Sequence, residues 1–296
     1  MSIELSIIII TYNSEAEIRN CLNSIRENAL GIIYEIIVVD NDSKDLTVKI
    51  IKENYPDVVV IANECNIGFP AANNQAIVSC KGEKILLLNP DTIVHQSALQ
   101  ELSKYLDENM DCGICSAQLI DANGIKAPDL LPLNSWRYLV QLLSGGAIKF
   151  DSLPDEQQMA LSGACLMFRK SLISKIGILD ESMFWGEDLD YCARTRRAGM
   201  TLCKRSSVFI THIVGQSTKS NMELYLLKQY YSKISYLRQH ARRPMVALIT
   251  CLYIFECLLR LIKWSILSFY KDSTEAKIRR QCFLKLSMDL PKELLK

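Results

Sequence analysis

The sequence predicts an α/β fold in which helices cover both faces of a mainly parallel sheet. Two observations predict it: apolar runs of strand length alternate with helical patterns, and the runs are rich in Val, Ile and Leu. Strands that are buried on both faces have such continuous runs, because neither face meets water. With 296 residues, 49% of them hydrophobic, the chain is long enough to bury a large core.

The first hundred residues have the clearest strand and helix signals. Each of the first four strands is followed by a helical pattern, and the four runs are LSIIII, YEIIVVD, DVVVIA and KILLLN. In the first helix, Ser14 is the predicted N-cap, Glu17 its capping-box partner and Gly31 the stop signal. The third helix is predicted to begin near Pro70 and to end before Gly82.

The pattern becomes irregular from Asp121 to Gln158, where scattered Pro and Gly residues indicate a long functional loop. The run ALSGACLMF then predicts a strand interrupted by Gly163. Two helices follow, one over residues 187–197 that is ended by Gly199, and one over residues 222–240.

Eleven cysteines without regular spacing are typical of a cytosolic protein with reduced thiols. Cys112 and Cys115 have C-x-x-C spacing, but they lie in a predicted strand, where residues three apart point to opposite faces. No second pair completes a zinc site. The run from Met1 to Ser6 leads directly into a strand, so no signal peptide is expected.

The charge is unevenly distributed along the chain. The net charge of +1 argues against a general nucleic-acid binder. Residues 1–237 have 22 basic and 28 acidic side chains, a net charge of −6, whereas residues 238–296 have 12 basic and 5 acidic ones, a net charge of +7. We therefore expect one α/β domain over residues 1–240 and a basic amphipathic helical region over residues 241–296.

The segment from Met245 to Tyr270 is largely apolar. Glu256, Arg260 and Lys263 would share one face of a helix, which favours a helix in the headgroup region of a membrane over one that spans it. Flanking basic residues would attract anionic lipid. The alternative is an amphipathic helix packed on the rest of the chain or on a second copy in a homodimer.

Short polar residues cluster around the predicted strand ends. Asp91 follows the KILLLN run and would lie at the carboxyl edge of the sheet, where open α/β sheets bind ligands. Because an unpaired carboxylate in a core is very costly, Asp91 indicates a site for a hard cation and phosphate. Further candidates follow the first two strands or precede the fourth, and they are Thr11, Tyr12, Asn13, Asp40, Asn41, Asn66, Gly68, Phe69 and Asn73.

Seven motifs in order resemble those of the family 2 glycosyltransferases of GT-A fold, in particular the bacterial rhamnosyltransferase-like branch. They are TYNSE, VVDNDSKD, NIGFPAANN, LLLNPD, LSGACLMFR, FWGEDLDYCAR and THIVGQS, and they span roughly the first 240 residues. The resemblance implies inverting, metal-dependent transfer of a sugar, with rhamnose favoured, from dTDP-rhamnose or a UDP-sugar. The implied acceptor is a polyprenyl-diphosphate-linked saccharide of O-antigen or capsule synthesis, at the cytoplasmic face of the inner membrane.

The resemblance also implies roles for single residues. Asp188 is the expected base, Glu187 helps to position the acceptor, and Asp190 points away from the site. Asp91 and His212 would bind Mn²⁺ or Mg²⁺. The residues expected to bind the donor are Thr11, Tyr12, Asn13, Asp40, Asn41, Asn66, Gly68, Phe69, Asn73, Asn89 and Asp91. Those expected to contact the acceptor or the donor sugar are Gly163, Ala164 and Trp185.

Two other functions stay open at this point. Asn89 and Pro90 precede Asp91 where the family often supplies the first acid of a D-x-D motif, so a catalytically silent, membrane-bound scaffold is one alternative. A nucleotidyltransferase is the other, although it would need a Gly-rich loop after the first strand, where TYNSE has no glycine. A nicotinamide enzyme is disfavoured because G-x-G-x-x-G is absent.

Overall fold

The computed structural model describes residues 2–128, 130–144, 160–213, 222–270 and 274–294. Within these ranges the chain forms eight strands. They are β1 (Leu5–Thr11), β2 (Tyr34–Asp40), β3 (Val59–Ala62), β4 (Lys84–Leu88), β5 (Thr92–Val94), β6 (Cys112–Ile120), β7 (Cys165–Arg169) and β8 (Thr201–His212).

Ten helices lie in the same described ranges. They are α1 (Ile18–Asn28), α2 (Thr47–Asn54), α3 (Phe69–Ser79), α4 (Ala98–Glu108), α5 (Trp136–Leu143), α6 (Ser171–Ile176), α7 (Glu187–Arg197), α8 (Met222–His240), α9 (Arg243–Tyr270) and α10 (Thr274–Glu293). The helices predicted over residues 187–197 and 222–240 have these bounds in the structure.

The strands form one mixed sheet in the order β3-β2-β1-β4-β7-β6-β8-β5. The four strands from β3 to β4 are parallel to one another, as are β6 and β8. The strand β7 runs antiparallel to both of its neighbours, β4 and β6. The predicted α/β fold with a mostly parallel sheet and helices is therefore confirmed.

The core is built on the period-two alternation of the strands. In β1, Leu5, Ile7 and Ile9 pack in one apolar cluster with α1, whereas Ile8 and Ile10 are buried on the opposite face. Burial on both faces explains why the strand is apolar at nearly every position. It also holds the polar strand ends at a well-defined edge, because a one-residue shift in register would exchange the two faces.

The start of α1 differs from the prediction. The helix begins at Ile18, Glu17 occupies the N-cap position, and no side chain caps it. The hydroxyl of Ser14 instead accepts a hydrogen bond from the backbone N–H of Tyr12 (3.3 Å), and the Ser14 carbonyl accepts one from Ile18 N–H (3.0 Å). The predicted capping box is therefore wrong, because the loop uses Ser14 for its own turn.

Two details of the central strands also differ. β7 begins at Cys165, so the residues up to Ala164 precede the strand instead of forming its first half. Cys112 and Cys115 do not lie on opposite faces, since both belong to the same core cluster. A register shift between Cys112 and Ile114 accounts for this, because an extra residue in a strand changes which face the following side chains occupy.

The chain divides into two compact units. The first comprises the described residues of Met1–Leu130, Asp151–Ser182 and Glu187–Ser217 and contains the sheet. The second comprises the described residues of Leu131–Phe150, Met183–Gly186 and Thr218–Lys296 and is helical. The predicted loop over 121–158 contributes α5 to it, and residues 145–159 lie outside the described residues. The second compact unit therefore includes α8 together with the C-terminal helices. The predicted domain boundary after residue 240 stays a prediction.

Candidate active site

The polar residues at the ends of β1 and β2 form one hydrogen-bonded group. Thr11 and Asp40 are paired residues at the last positions of the two parallel strands. The Thr11 hydroxyl donates to Asp40 Oδ1 (2.8 Å), and Ser43 donates to the same carboxylate through its backbone N–H (2.8 Å) and its hydroxyl (2.5 Å). The Asp40 side chain is almost fully buried, and these three donors compensate for its loss of water.

The neighbouring loops are fixed by amide side chains. Asn13 has a left-handed backbone conformation (φ 52°), which asparagine tolerates better than most residues. Its backbone N–H donates to the Ser43 hydroxyl (2.8 Å), and its side-chain carbonyl accepts from the N–H of Lys44 (2.8 Å). Asn13 therefore joins the loops after β1 and β2, and the half-buried side chain of Tyr12 lies next to it in sequence.

A third loop joins this group through Asn41 and Gly68. Asn41 N–H donates to the Thr11 carbonyl (2.8 Å), and its side-chain amide donates to the carbonyl of Gly68 (3.3 Å). Gly68 N–H in turn donates to Asn66 Oδ1 (3.0 Å). Gly68 has φ +90°, which a residue with a side chain rarely adopts, so the turn ahead of α3 requires glycine.

The first turns of α3 place two asparagines differently. Asn73 donates to the carbonyl of Phe69 (2.9 Å), and its buried Oδ1 makes no hydrogen bond within the described residues. Asn74 instead bonds to Leu179 and to Glu181, so its role is to hold the segment after α6. A buried acceptor without a partner is costly, and Asn73 is thus the α3 residue with an acceptor to spare.

The acid after β4 is paired with the histidine at the end of β8. His212 Nε2 lies 3.2 Å from Asp91 Oδ1, and Ile213 N–H donates to the Asp91 carbonyl (2.9 Å). The side-chain amide of Asn89 is 3.4 Å from the same imidazole nitrogen. Both Asp91 and His212 are mostly buried. No third His, Cys, Asp or Glu completes a cluster around them in the residues that the structure describes.

Glu17 is a neighbour of this pair that the sequence analysis assigned to a helix cap. It lines a cavity of about 200 Å³ together with Asn20, Asp91 and Thr92. Burial raises the pKa of Glu17, and the Asp91 carboxylate adds to the increase. The cavity is smaller than the roughly 300–1,000 Å³ of typical ligand pockets, so it suits a few waters beside Asp91. The only sequence signal for the position of Glu17 beside Asp91 was that α1 starts directly after the loop that follows β1.

The two acids at the start of α7 are the strongest electrostatic feature of the first unit. Asp188 Oδ2 accepts a hydrogen bond from Gly163 N–H (2.9 Å), and its Oδ1 accepts one from Leu189 N–H (2.8 Å). Burial raises the pKa of Glu187 to about 8, and the Asp188 charge contributes. Burial also raises the pKa of Asp188, while its backbone donors oppose the change. Close acids that repel each other are typical of sites that handle protons.

Asp190, the third acid of this helix, does not belong to the group. It is buried, and its carboxylate is held by the guanidinium of Arg194 one turn later (2.7 Å). The expectation that Asp190 points away from the other acids agrees with this contact.

Asn89 connects the histidine pair with the segment that binds Asp188. Its backbone N–H donates to the carbonyl of Ala164 (3.1 Å), next to Gly163, and its side chain reaches His212. The antiparallel direction of β7 explains this, because the start of β7 meets the end of β4 at Cys165 and Leu88. Asp40, Asp91 and His212 therefore lie at or just after strand ends at one edge of the sheet, and Asp188, at the start of α7, is hydrogen-bonded to the segment that precedes β7.

Trp185 is the predicted site residue that has a cationic neighbour on α8. It belongs to the second, helical unit, where Lys233 Nζ of α8 lies 5.2 Å from its ring centroid. The preceding residue, Phe184, donates its N–H to the hydroxyl of Ser232 (3.2 Å). The stacking of Trp185 on an acceptor sugar stays a prediction.

The arrangement can be compared with known proteins. The protein-family model described as Glycosyl transferase family 2 matches residues 6–177, more than half of the chain. The chain belongs to glycosyltransferase family 2. Its GT-A fold and its assignment as a glycosyltransferase are thereby confirmed, and the silent-scaffold and nucleotidyltransferase alternatives lose their support.

Two curated relatives of this family 2 glycosyltransferase are informative. The low-salt glycan biosynthesis hexosyltransferase Agl10 of Haloferax volcanii is 27% identical over 236 residues, which cover 75% of this chain and 72% of Agl10. The poly(ribitol-phosphate) beta-glucosyltransferase of Bacillus spizizenii is 37% identical over 130 residues, 42% of this chain. The match spans only 20% of that longer relative.

A solved structure extends the similarity along the chain. The mannosyltransferase PcManGT from Pyrobaculum calidifontis, in complex with GDP-Man and Mn²⁺, matches with a TM-score of 0.58. The match covers 100% of this chain and 88% of that protein at 14% sequence identity. At this identity the likeness concerns the fold alone.

Proposed function

We propose that this family 2 glycosyltransferase transfers a sugar, with inversion, from a nucleotide diphosphate donor to a saccharide hydroxyl, and that Asp188 is the base. The observation that carries the proposal is the connection between two chemically different groups. One is the Asp91–His212 pair, and the other is the contact between Asp188 and Gly163. Asn89 links them, because its backbone N–H donates to the carbonyl of Ala164, next to Gly163, and its side-chain amide lies 3.4 Å from the His212 ring nitrogen.

The state of Asp188 supports its role as the base. Its two backbone hydrogen bonds use one lone pair on each oxygen, so each oxygen retains another that can accept a proton. In the proposed reaction the acceptor O–H gives its proton to Asp188, and the acceptor oxygen attacks the anomeric carbon of the donor. The bond from that carbon to the diphosphate oxygen breaks, and the nucleoside diphosphate leaves with the electron pair. Glu187, which carries a proton near neutral pH, can donate a hydrogen bond to the acceptor sugar.

Asp91 and His212 fit a divalent cation. Asp91 Oδ1 is buried, and beyond the imidazole at 3.2 Å it has no hydrogen-bond partner in the described part of the chain. One carboxylate and one imidazole leave positions for phosphate oxygens and water, which is how Mg²⁺ and Mn²⁺ are commonly held at nucleotide sites. When bound, the cation would neutralise the charge that develops on the departing diphosphate. PcManGT was solved with Mn²⁺ and a nucleotide sugar, which is in line with this proposal.

The group around Asp40 is the proposed nucleotide site. Thr11, Asp40, Asn41 and Gly68 are held by one another at the edge of the sheet, and they present backbone and side-chain donors and acceptors there. Asn73, with its free acceptor, is proposed to complete the site from α3. We retain Tyr12, Asn13, Asn66 and Phe69 as donor-side residues, of which Asn13 acts by joining two loops.

The donor sugar and the acceptor are the least constrained part of the proposal. The resemblance to the rhamnosyltransferase-like branch favours rhamnose, while the relatives are named for hexose and glucose transfer. We propose a lipid-linked saccharide acceptor of surface-polysaccharide synthesis, reached at the cytoplasmic face of the membrane. Its support is the basic, apolar C-terminal region, where one helix over Arg243–Phe269 is long and apolar enough to associate with a membrane.

A donor screen tests the proposal. Purified protein is incubated with dTDP-rhamnose, UDP-glucose, UDP-N-acetylglucosamine and GDP-mannose, and release of nucleoside diphosphate is measured with Mn²⁺ or with EDTA. Release from one donor that requires the metal and is lost in Asp188→Asn would support the proposal. Binding of a donor, seen as protection against thermal unfolding, without any release would instead support a binding protein. Equal release in EDTA would refute the metal requirement.

A further inference from the structure

The long helix α9 has two faces of different character in the helical unit. The most apolar 18-residue window of Arg243–Phe269 has a mean hydropathy of 2.1, yet only 22% of that window is buried. A core helix with such a composition would be mostly covered. Most of this apolar surface is therefore unaccounted for by packing within the described residues.

The face of α9 that carries charges is only partly covered by other helices of the unit, because Arg260 and Lys263 on it are exposed. Glu256 is ion-paired with Arg260 (2.8 Å), and the Arg260 guanidinium lies 5.6 Å from the ring centroid of Phe283 in α10. The Glu256 charge also acts on Lys233 of α8, an amine whose pKa burial lowers. Tyr253, one turn before Glu256, is fully buried. Glu256 is the more covered member of this ion pair, whereas the Arg260 side chain is 47% exposed, so the expectation that this face meets the headgroups stays a prediction.

A row of large apolar side chains is exposed on α9, beside the exposed charges of Arg260 and Lys263. Seven such side chains lie between Leu248 and Phe269 and are 44% to 86% exposed, and from Phe255 onward they are one, three or four residues apart. We call this set the apolar stripe, and it consists of Leu248, Phe255, Leu258, Leu259, Ile262, Ile266 and Phe269. Scattered exposed apolar residues need no explanation, but a row that extends over about six turns of one helix marks an interaction surface.

Exposed basic residues accompany the stripe. Arg242 and Arg243 precede or open α9, Lys263 lies within it, and Arg280 is exposed on α10. Residues 238–296 have a net charge of +7. Apolar side chains next to basic ones are complementary to the surface of an anionic bilayer, which offers hydrocarbon below a layer of negative charge.

Packing argues for a helix in the plane of the membrane and against a span. α10 packs along α9 and carries eight charged residues between Glu275 and Glu293. Some are ion-paired in α10 itself, as in Arg279 with Glu275 and Lys292 with Asp289. If α9 crossed the bilayer with its packing partner, these charges would have to enter hydrocarbon, which is very unfavourable.

We propose that the helical unit is a monotopic membrane-docking module in which the apolar stripe of α9 is inserted into the interface of an anionic bilayer. The proposal deepens the membrane localisation of the proposed function and names the surface responsible for it. The contact with lipid itself requires neither donor nor acceptor, so it is testable separately from transfer.

Vesicle flotation of the full chain is the test, with phosphatidylcholine vesicles that contain or lack phosphatidylglycerol. Wild-type protein is expected to float with the anionic vesicles and to be released by high salt only in part, since the apolar contribution is not screened. The double variant Phe255→Glu/Ile262→Glu is expected to lower partitioning by about a hundredfold, because two apolar side chains no longer leave water. Leu30→Glu, which changes an equally apolar but unrelated residue, 74% exposed, is the matched control and should float like wild type.

Three outcomes would overturn the proposal. One is undiminished flotation of the double variant. Another is a wild-type protein that ignores vesicles but forms a dimer which the double variant abolishes, because the stripe would then contact a second copy. The third is that membrane-bound wild type and the membrane-bound double variant both resist extraction by alkaline carbonate, which would indicate a helix that spans the bilayer. Thermal unfolding checks that the double variant is folded. If the double variant also retains metal-dependent donor hydrolysis, its loss of flotation is a docking defect and not a failure of the proposed transfer.

Discussion

Replacing Glu187 with glutamine is expected to remove a specific dependence of stability on pH. Burial raises the pKa of Glu187 from 4.5 to about 8, with Asp188 as the neighbouring charge. Between these two values the folded protein holds a proton that the unfolded chain has already released. Linkage then requires the free energy of unfolding to fall as the pH rises, by at most about 1.4 kcal/mol per pH unit for one proton.

The magnitude follows from the same two values. Glutamine has no proton to lose, so the stabilisation of wild type relative to Glu187→Gln should decrease by about 3 kcal/mol between about pH 5 and pH 8. The sign is the opposite of that for a carboxylate stabilised by an ion pair, which gains stability over a range of rising pH. The shift in pKa comes from burial and from repulsion by Asp188, so the ionised form is the one that the fold disfavours.

Urea titrations followed by circular dichroism at each pH measure this difference. Glu101→Gln is the matched control, because Glu101 is exposed on α4 and its change should leave the pH dependence of wild type intact. A difference between wild type and Glu187→Gln that stays constant, or that grows with pH, would refute a buried and repelled Glu187. It would also remove the electrostatic argument for placing the chemistry at these acids.

The remaining predictions concern the roles of single side chains. Asp188→Asn is expected to abolish transfer in a folded protein. Asp190→Asn should retain transfer per folded molecule and lose about 3 kcal/mol of stability, because the Arg194 guanidinium loses its carboxylate. Equal activity losses in the two variants would contradict the assignment of Asp188 as the base. His212→Ala is expected to raise the Mn²⁺ concentration for half-maximal activity, and an unchanged metal titration would remove His212 from the site. Asp40→Asn is expected to raise the donor concentration needed for protection against thermal unfolding by at least about tenfold, since the hydroxyl and N–H donors around Asp40 lose their charged acceptor. Unchanged protection would argue against a nucleotide at the ends of β1 and β2.

The central strands of the sheet can be predicted from the sequence because β1, β2 and β4 are largely buried on both faces, whereas the edge strand β3 is partly exposed. The runs that form β1, β2 and β4 contain few polar residues, and a polar residue at or just after the end of each run marks where the strand ends. The three-residue strand β5 has no such signal, and it exists because it pairs with β8 at the edge of the sheet. Short strands of this kind depend on a tertiary partner more than on local preference.

The site can be predicted less completely, for a related reason. Motif order indicates Asp91, His212 and Asp188, but nothing local to Asn89 shows that it bonds both to the chain beside Gly163 and to the imidazole. That role arises from the reversed direction of a strand about 75 residues later in the chain.

The reversed strand β7 also determines the order in which the molecule can be completed during synthesis. The pairing of β1, β2, β3 and β4 needs only the first 88 residues, whereas the second side of β4 stays open until Cys165–Arg169 has been made. The KILLL segment is an exposed sheet edge until then, and a bare apolar edge readily adds strands from other chains. Fragments that end ahead of residue 165 are therefore expected to aggregate, although they contain every residue of the proposed nucleotide site.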